Sequence, residues 1–243
     1  MAKCLIRPIP LSEWQMDKSM VTYRLGFGQM AMQVAYVWYI EGLKEKILVD
    51  AGVSAEYLSQ KRGMPARDIQ SLESGLRKVG LTPDDIDLVI ITHLHSDHVA
   101  QGHQLAKAKF LIQKDELEFA QNPHVTVAGQ YPREFFDGLN FEIITGDTRI
   151  CEEISVLSTP GHSPGGQSVS VKTAQGRAII SGICSTRENF EPPEPFSKTM
   201  PVFPYGVFVN LFDMYDSLLR IKKAADIIVP IHEPEYVQRS HIP

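Results

Sequence analysis

The sequence has 243 residues and a formal net charge of −5, with 43% hydrophobic and 22% charged residues, which is ordinary globular composition. The acidic balance and the scattered lysines and arginines argue against a nucleic-acid partner, because binding phosphates requires clustered basic residues. The three cysteines Cys4, Cys151 and Cys184 are odd in number and widely spaced, so we expect no disulfide framework and a cytoplasmic location. Residues 1–8 lack the apolar run of a signal peptide, and no apolar stretch is long enough to span a membrane, so we expect no membrane partner.

The first half of the chain predicts strands and helices in alternation. Val34–Ile40 and Lys46–Asp50 are rich in β-branched and aromatic residues and predict a hairpin. The apolar residues between Ile69 and Val79 recur at helical spacing, which predicts a helix. Leu88–Ile91 is a short, continuous apolar run, the pattern of a strand buried on both faces.

The second half continues this alternation. It predicts strands at Phe110–Gln113 and Ile150–Leu157, a hairpin of Gln167–Lys172 and Arg177–Ser181, an irregular proline-rich segment at Glu191–Pro204, a helix at Leu211–Ala224 and a last buried strand at Asp226–Ile231. The whole pattern indicates a mixed α/β fold with sheets inside and helices outside, and we expect one domain over residues 1–243.

A dense group of histidines follows the predicted strand Leu88–Ile91. His93, His95, Asp97 and His98 fall within six residues, at the carboxyl end of a buried strand where layered α/β folds place their chemistry. Imidazole nitrogens and carboxylate oxygens are zinc ligands. Four such donors so close together do not fit one tetrahedral ion without distortion, so the run predicts a site for two metal ions.

Three more residues lie at similar positions. His162 stands in a turn rich in glycine and proline that can present one side chain at a fixed angle, and His232 ends the predicted last strand as His93 ends its own. We expect both to be metal ligands. Asp50 ends the strand before Ala51 and Gly52, where it is equally consistent with a turn-forming residue and with one that orients a ligand histidine without binding the metal.

The other histidines and two of the cysteines have no such context. We expect His103, His124 and His241 to be surface residues. Cys4 and Cys151 are interpreted as small buried apolar residues.

These motifs resemble those of the metallo-β-lactamase superfamily, whose signature His-x-His-x-Asp-His is matched by His93, His95, Asp97 and His98. The resemblance extends over nearly the whole chain and implies an αββα four-layer sandwich of two sheets flanked by helices. Within the superfamily the chain is most similar to the N-acyl-homoserine lactonase group, on segments 81–85, 161–168 and 187–190.

The chain departs from this family where an aspartate normally bridges the two metals. That position is occupied by Ile183, which cannot bind a metal, and the next residue, Cys184, offers a thiolate instead. Whether Cys184 binds metal or is buried and inert is left open by the sequence. Ser185 and Thr186 stand where related lactonases tend to carry a carbonyl-polarising tyrosine, so that role has no candidate.

The resemblance implies that His93, His95 and His162 bind one ion, and that Asp97, His98 and His232 bind another. The implied reaction is attack of metal-bound hydroxide on a lactone carbonyl, with Asp97 as both ligand and proton shuttle. Zinc is expected, although iron, manganese or cobalt would also suit these ligands.

Two other functions remain open. A thioester hydrolase resembling the hydroxyacylglutathione hydrolases would share the metal motif, and a degenerate relative would bind metal or ligand without turnover. In each case the partner is a small molecule, with a cyclic ester or acyl group for the favoured function. The aromatic residues around Glu191–Pro204 suit either a wall of the substrate pocket or a homodimer contact.

Overall fold

Two sheets form the interior of the protein in the computed structural model, which describes residues 4–243. The seven-stranded sheet has the order β4 (Ala66–Asp68), β1 (Leu5–Asp17), β2 (Met30–Glu41), β3 (Ile47–Val49), β5 (Leu88–Ile90), β6 (Lys109–Gln113) and β7 (Phe141–Ile144). The five-stranded sheet has the order β12 (Ile227–Val229), β11 (Gly176–Ile180), β10 (Gln167–Thr173), β9 (Ile154–Ser158) and β8 (Thr148–Arg149). Residues 1–3 lie outside the described range. They are part of the segment 1–8, from which the sequence predicts that there is no signal peptide.

Six α-helices are present in the described part of the chain. They are α1 (Ala55–Arg62), α2 (Leu72–Lys78), α3 (Ser96–Val99), α4 (Lys114–Gln121), α5 (Arg187–Phe190) and α6 (Leu211–Ala224). Among residues 4–243, no helix combines the length and apolar character needed to cross a membrane.

The period-two pattern of the strands produces the layers. In β2, Tyr36 and Trp38 belong to the apolar core between the two sheets, whereas Val37 and Tyr39 belong to the core beneath α2. In β11, Ile179 packs in a third core with the apolar residues of α6. The result is helices, sheet, sheet and helices, which confirms the predicted αββα sandwich.

Most of the predicted elements are present, with shifted bounds. The hairpins β2–β3 and β10–β11 and the helix α6 lie where the sequence predicts them. The strand predicted from Ile150 begins only at Ile154, because residues 151–153 form a bend between β8 and β9. Within Glu191–Pro204 one 3-10 turn, Phe196–Lys198, interrupts an otherwise irregular path.

Strand β1 is the longest strand in the described chain and was not predicted. Pro8 and Pro10 lie inside it, and proline weakens a strand prediction because it has no N–H to donate. The sheet accommodates them with a shift of register between Pro10 and Ser12, and β1 still pairs with β2 along its whole length.

Parallel pairing brings the ends of four strands to one edge of the sandwich. Strands β3 and β5 are parallel in one sheet, and β11 and β12 are parallel in the other. The segments that follow these strands contain all the predicted metal ligands except His162, which lies in the turn between β9 and β10. This edge therefore carries the candidate site.

Candidate metal centre

Seven side chains from loops of both sheets form two groups. Within each group, all the possible ligand atoms lie within 4.8 Å of one another. One group contains His93, His95 and His162. The other contains Asp97, His98, Cys184 and His232. All seven residues were singled out in the sequence, and the fold brings every one of them to the same edge.

The loop after β5 supplies four of these donors because a short helix begins inside it. His95 is the N-cap of α3 and has extended backbone, so His93 and His95 precede the helix while Asp97 and His98 lie within its single turn. The pair before the helix belongs to the first group, and the pair within the helix belongs to the second.

Two of the histidines, His162 and His232, are held by hydrogen bonds from Nδ1 to backbone carbonyl oxygens. His162 Nδ1 lies 2.7 Å from the carbonyl oxygen of Val207, and His232 Nδ1 lies 2.9 Å from that of Val34. A carbonyl oxygen can only accept, so each Nδ1 carries the proton and each Nε2 is left with a free lone pair. This is the usual arrangement of a metal-binding histidine.

Asp50 holds His98 in the same way. Its Oδ2 lies 2.7 Å from His98 Nδ1, and the backbone N–H and hydroxyl of Thr92 donate to its two oxygens at 2.7 and 2.9 Å. Asp50 is fully buried and has a positive φ of 61°, a conformation that aspartate tolerates better than most residues. Of the two interpretations left open by the sequence, these contacts favour the one in which Asp50 orients a histidine.

Cys184 lies between the two groups. Its Sγ is 3.1 Å from His232 Nε2 and 3.6 Å from His98 Nε2, and 3.8 Å from His93 Nε2 of the other group. The side chain is 4% exposed. The thiol therefore lies within hydrogen-bond distance of the donors, at the border of the third apolar core, to which Cys184 also belongs.

The residues beside Cys184 have structural surroundings. Ile183 is fully buried in the apolar core that also contains Phe190, and Ser185 is buried. Thr186 caps α5 through Asn189. As the sequence indicates, Ile183 provides no replacement for a bridging carboxylate.

The electrostatics of the site favour a cation. Burial, and then the neighbouring histidines, holds the pKa of His93 well below its usual value. Burial lowers the pKa of both His162 and His232 to about 4. Burial also opposes the charged form of His98, but Asp97 and Asp50 outweigh it and raise the pKa of His98.

These donors fit divalent metal ions. Imidazole nitrogens, one carboxylate and one thiol, all buried or nearly so, form a ligand set that zinc and similar ions prefer, and the facing nitrogens of His95 and His162 already lie at hydrogen-bond distance. Burial raises the pKa of Cys184 to about 12, so the thiol must lose its proton when it binds a metal.

A cavity of about 100 Å³ opens onto the donors. Its wall is mostly apolar and includes Trp14, Met16, Leu58, Met64 and Tyr205, and four of the donors also line it, His95, Asp97, His162 and Cys184. Tyr205 directly follows the proline-rich segment Glu191–Pro204, so one of the aromatic residues around that segment lines the pocket, while the segment itself does not. Such a cavity suits a small molecule with an apolar portion.

The sequence does not predict the place of two residues, Tyr205 and Glu116, in or beside the site. Tyr205 was noted only as one aromatic residue of a possible wall, and Glu116 was not considered. Glu116 is fully buried and contacts both ligand loops, whereas Glu118 on the same helix has a side chain 63% exposed. Nothing local distinguishes the two glutamates, because burial of Glu116 depends on how α4 packs. The histidines His103, His124 and His241 are exposed, as expected.

Curated lactonases are similar to this chain over most of its length. An N-acyl homoserine lactonase of Bacillus thuringiensis is 28% identical over 241 residues, covering 93% of this chain and 92% of its own. The lactonase AttM of Rhizobium radiobacter is 25% identical and covers 77% of each chain.

Solved structures of lactone hydrolases are also similar to this chain. An N-acyl homoserine lactone hydrolase solved with the product N-hexanoyl-L-homoserine at its catalytic metal centre superposes with a TM-score of 0.80 and 26% identity, over 98% of this chain and 96% of its own. AidC, a dizinc quorum-quenching lactonase, shares the fold with a TM-score of 0.71 at 13% identity, over 99% of this chain and 90% of its own.

The sequence profile of the metallo-beta-lactamase superfamily matches residues 33–232, which include all seven metal-type donors. The chain belongs to this superfamily and is a metal-dependent hydrolase.

Proposed function

We propose that this protein is a zinc-dependent lactonase that opens the ring of N-acyl homoserine lactones or similar cyclic esters. The observation that carries the proposal is the position of the two groups of metal-type donors beside a mostly apolar cavity, which four of the donors, His95, Asp97, His162 and Cys184, help to line. The relatives named above, which are lactone hydrolases, support the same substrate class. Hydrolysis of such a signal molecule would make the protein quorum-quenching.

The two groups would hold one divalent ion each. His93, His95 and His162 would bind the first, and Asp97, His98, Cys184 and His232 the second. Ions bound there would supply two kinds of chemistry, lowering the pKa of water from about 15.7 towards 7 and polarising a carbonyl oxygen. Zinc suits the mixture of imidazole, carboxylate and thiolate, and iron, manganese and cobalt are the alternatives to test.

Cys184 would replace the missing bridging aspartate. Its contacts with His98 and His232 support a role in the second group, and its 3.8 Å distance to His93 Nε2 brings it near the first. A thiolate ligand must stay reduced, which agrees with the proposed cytoplasmic location.

Asp97 would transfer the proton from the attacking water to the leaving ring oxygen. Its Oδ2 lies 3.3 Å from His98 Nε2 and 3.5 Å from His232 Nε2, and its side chain, 19% exposed, reaches the cavity. Burial opposes the charge, but the adjacent histidines hold the pKa of Asp97 well below its usual value. The carboxylate is therefore ionised and free to take the proton of the attacking water, and its low pKa means that it gives this proton up readily to the ring oxygen as the ester bond breaks, which leaves a hydroxy acid.

Tyr205 would supply the hydrogen bond for which the sequence offers no candidate. Its hydroxyl lies on the cavity wall, 3.5 Å from Met16 Sδ and 3.4 Å from Gln33 Oε1, so it has no short partner. Burial raises the pKa of Tyr205, so the phenol keeps its proton. It is available to donate to the carbonyl oxygen of a lactone.

The experiment is a ring-opening assay of the zinc-loaded protein with N-hexanoyl-L-homoserine lactone, followed by proton release. We expect hydrolysis that is lost in His93→Ala and retained in His103→Ala, which removes an exposed histidine away from the site. A zinc-loaded protein that leaves this lactone and longer acyl homologues intact would contradict the proposal.

A glutathione thioester should be assayed in parallel. The wall of the cavity is mostly apolar and, among residues 4–243, Arg62 is the one arginine or lysine that lines it, so an acyl chain is favoured over the two carboxylates of glutathione. Faster turnover of the thioester would favour the alternative of a thioester hydrolase, and tight zinc binding without turnover of either compound would favour a non-catalytic relative.

A further inference from the structure

A buried glutamate outside the ligand set connects the two loops that carry the first metal group. Glu116 lies in the first turn of α4 and is fully buried. A carboxylate is costly to bury unless its oxygens receive hydrogen bonds. Its partners therefore indicate what it does.

Each oxygen of Glu116 accepts from a different ligand loop. Oε1 accepts from the backbone N–H of Leu94 at 2.9 Å, and Oε2 accepts from that of Gly165 at 3.0 Å. Leu94 lies between His93 and His95, and Gly165 lies three residues after His162. One rigid carboxylate thus joins the loop after β5 to the turn between β9 and β10.

The close approach of α4 to the second loop depends on glycine. A Cβ added to Gly165 would lie 2.1 Å from the backbone nitrogen of Glu116, so a larger residue could not sit there without a shift of the backbone. The loop of His162 is therefore packed against the start of α4 as well as hydrogen-bonded to it.

The other metal group is held by different contacts. Asp50 orients His98, and the carbonyl of Val34 orients His232. The backbone N–H of Ala51 also donates to the carbonyl of His98 at 2.7 Å. These contacts do not involve Glu116.

We propose that Glu116 is a positioning residue that sets the separation of His95 and His162, and thereby the metal affinity of the first group alone. Their facing ring nitrogens, His95 Nδ1 and His162 Nε2, lie 3.0 Å apart, and the carboxylate fixes both loops from behind. This inference rests on the proposed metal ligands and is independent of lactone hydrolysis.

The test variant is Glu116→Gln, which keeps the size of the side chain. Its amide retains one accepting oxygen but places an NH₂ opposite the second backbone N–H, so one of the two links is lost. The matched control is Glu118→Gln, the same change on the exposed face of α4.

The readout is titration of the metal-free protein with Co²⁺, which separates the two groups. A thiolate-to-cobalt charge-transfer band reports the group that contains Cys184, while the d–d bands report both. For Glu116→Gln we expect one ion to bind roughly 10- to 100-fold more weakly, the magnitude typical when a partner of a ligand is removed. The charge-transfer band should appear at the wild-type cobalt concentration, and Glu118→Gln should match the wild type throughout.

Equal weakening of both ions would mean that Glu116 only supports the fold, and unchanged titration would mean that it has no positioning role. Either result overturns the inference. A wild type that binds no cobalt tightly would overturn the inference together with the metal roles, whereas normal binding without lactone hydrolysis would contradict the proposed function alone.

Hydrogen exchange provides a second measurement if Glu116→Gln does not fold. In the metal-free wild type, the amides of Leu94 and Gly165 should exchange slowly, because the carboxylate already holds them. Exchange as fast as at exposed loop amides would overturn the inference.

Discussion

Cys184 offers a thiol where the family uses a carboxylate, and its role can be measured by counting ions. We expect the wild type to hold two ions per chain and Cys184→Ala to hold about one, since the second group loses a donor that contacts both His98 and His232. Metal analysis of protein purified without added metal provides the count. Cys151→Ala is the control, because that half-buried thiol contacts Glu153 and lies outside both groups. An unchanged count in Cys184→Ala would show that the thiol is inert.

Tyr205 illustrates how a residue can affect turnover without affecting the metals. For Tyr205→Phe we expect kcat for lactone opening to fall roughly 10- to 100-fold with KM changed little, because the lost hydrogen bond matters most when charge develops on the carbonyl oxygen. Metal content and stability should stay close to the wild type, since the hydroxyl has no short protein partner.

Tyr236→Phe is the matched control for this change. It removes a hydroxyl from another buried tyrosine, whose partner is the carbonyl of Ile228 and which does not line the cavity. Steady-state kinetics of the two variants side by side provide the comparison. Equal kcat values would contradict the role of Tyr205.

At the scale of elements, the turn that presents His162 depends on contact with α6. Gly161 has a φ of +124°, and a Cβ there would lie 2.1 Å from the backbone nitrogen of Met214. Its carbonyl accepts from the N–H groups of Val209 and Asn210, both at 2.9 Å, just before the helix begins. The turn and the helix are therefore positioned together.

Gly161→Ala should accordingly lower both stability and metal binding. We expect a loss of roughly 2–5 kcal/mol in the free energy of unfolding, from backbone strain and steric overlap together. Urea denaturation measures it. Gly129→Ala is the control, since Gly129 is exposed and a Cβ there meets nothing within 4 Å. Equal stability of the two variants would show that the turn adapts easily.

The sequence predicts the elements and residues that a local pattern marks, and it misses those whose placement depends on contacts with distant parts of the chain. His93 and His232 were recognisable because each ends a run of apolar residues, a local pattern that survives in the fold. Strand β1 was missed because Pro8 and Pro10 weaken its local signal, and pairing with β2 overrides that weakness. Glu116 was missed for a related reason, because its burial depends on a contact with Gly165 that is distant in sequence.

At the scale of the whole molecule, the metal groups join the two sheets. In the first group, His93 and His95 follow a strand of the seven-stranded sheet, and His162 precedes a strand of the five-stranded sheet. The second group likewise combines Asp97 and His98 with Cys184 and His232. The expectation of one domain over residues 1–243 stays a prediction, and it agrees with a centre built from both halves of the sandwich.

Metal removal should therefore lower the stability of the whole fold. An ion that binds the folded state alone contributes about 2.7 kcal/mol when its free concentration is 100 times its Kd. In a protein of this size a loss of that order lowers Tm by roughly 5–10 °C. Calorimetry with and without a chelator measures the shift, and re-addition of zinc should restore Tm.

A variant lacking donors from both groups is the control for the chelator. His93→Ala combined with His232→Ala should melt at the same temperature with and without it, since no tight site remains. If the chelator leaves the wild-type Tm unchanged while removing the metal, the two sheets are held by their apolar core alone. In that case the ions would serve chemistry and contribute nothing to the assembly of the sandwich.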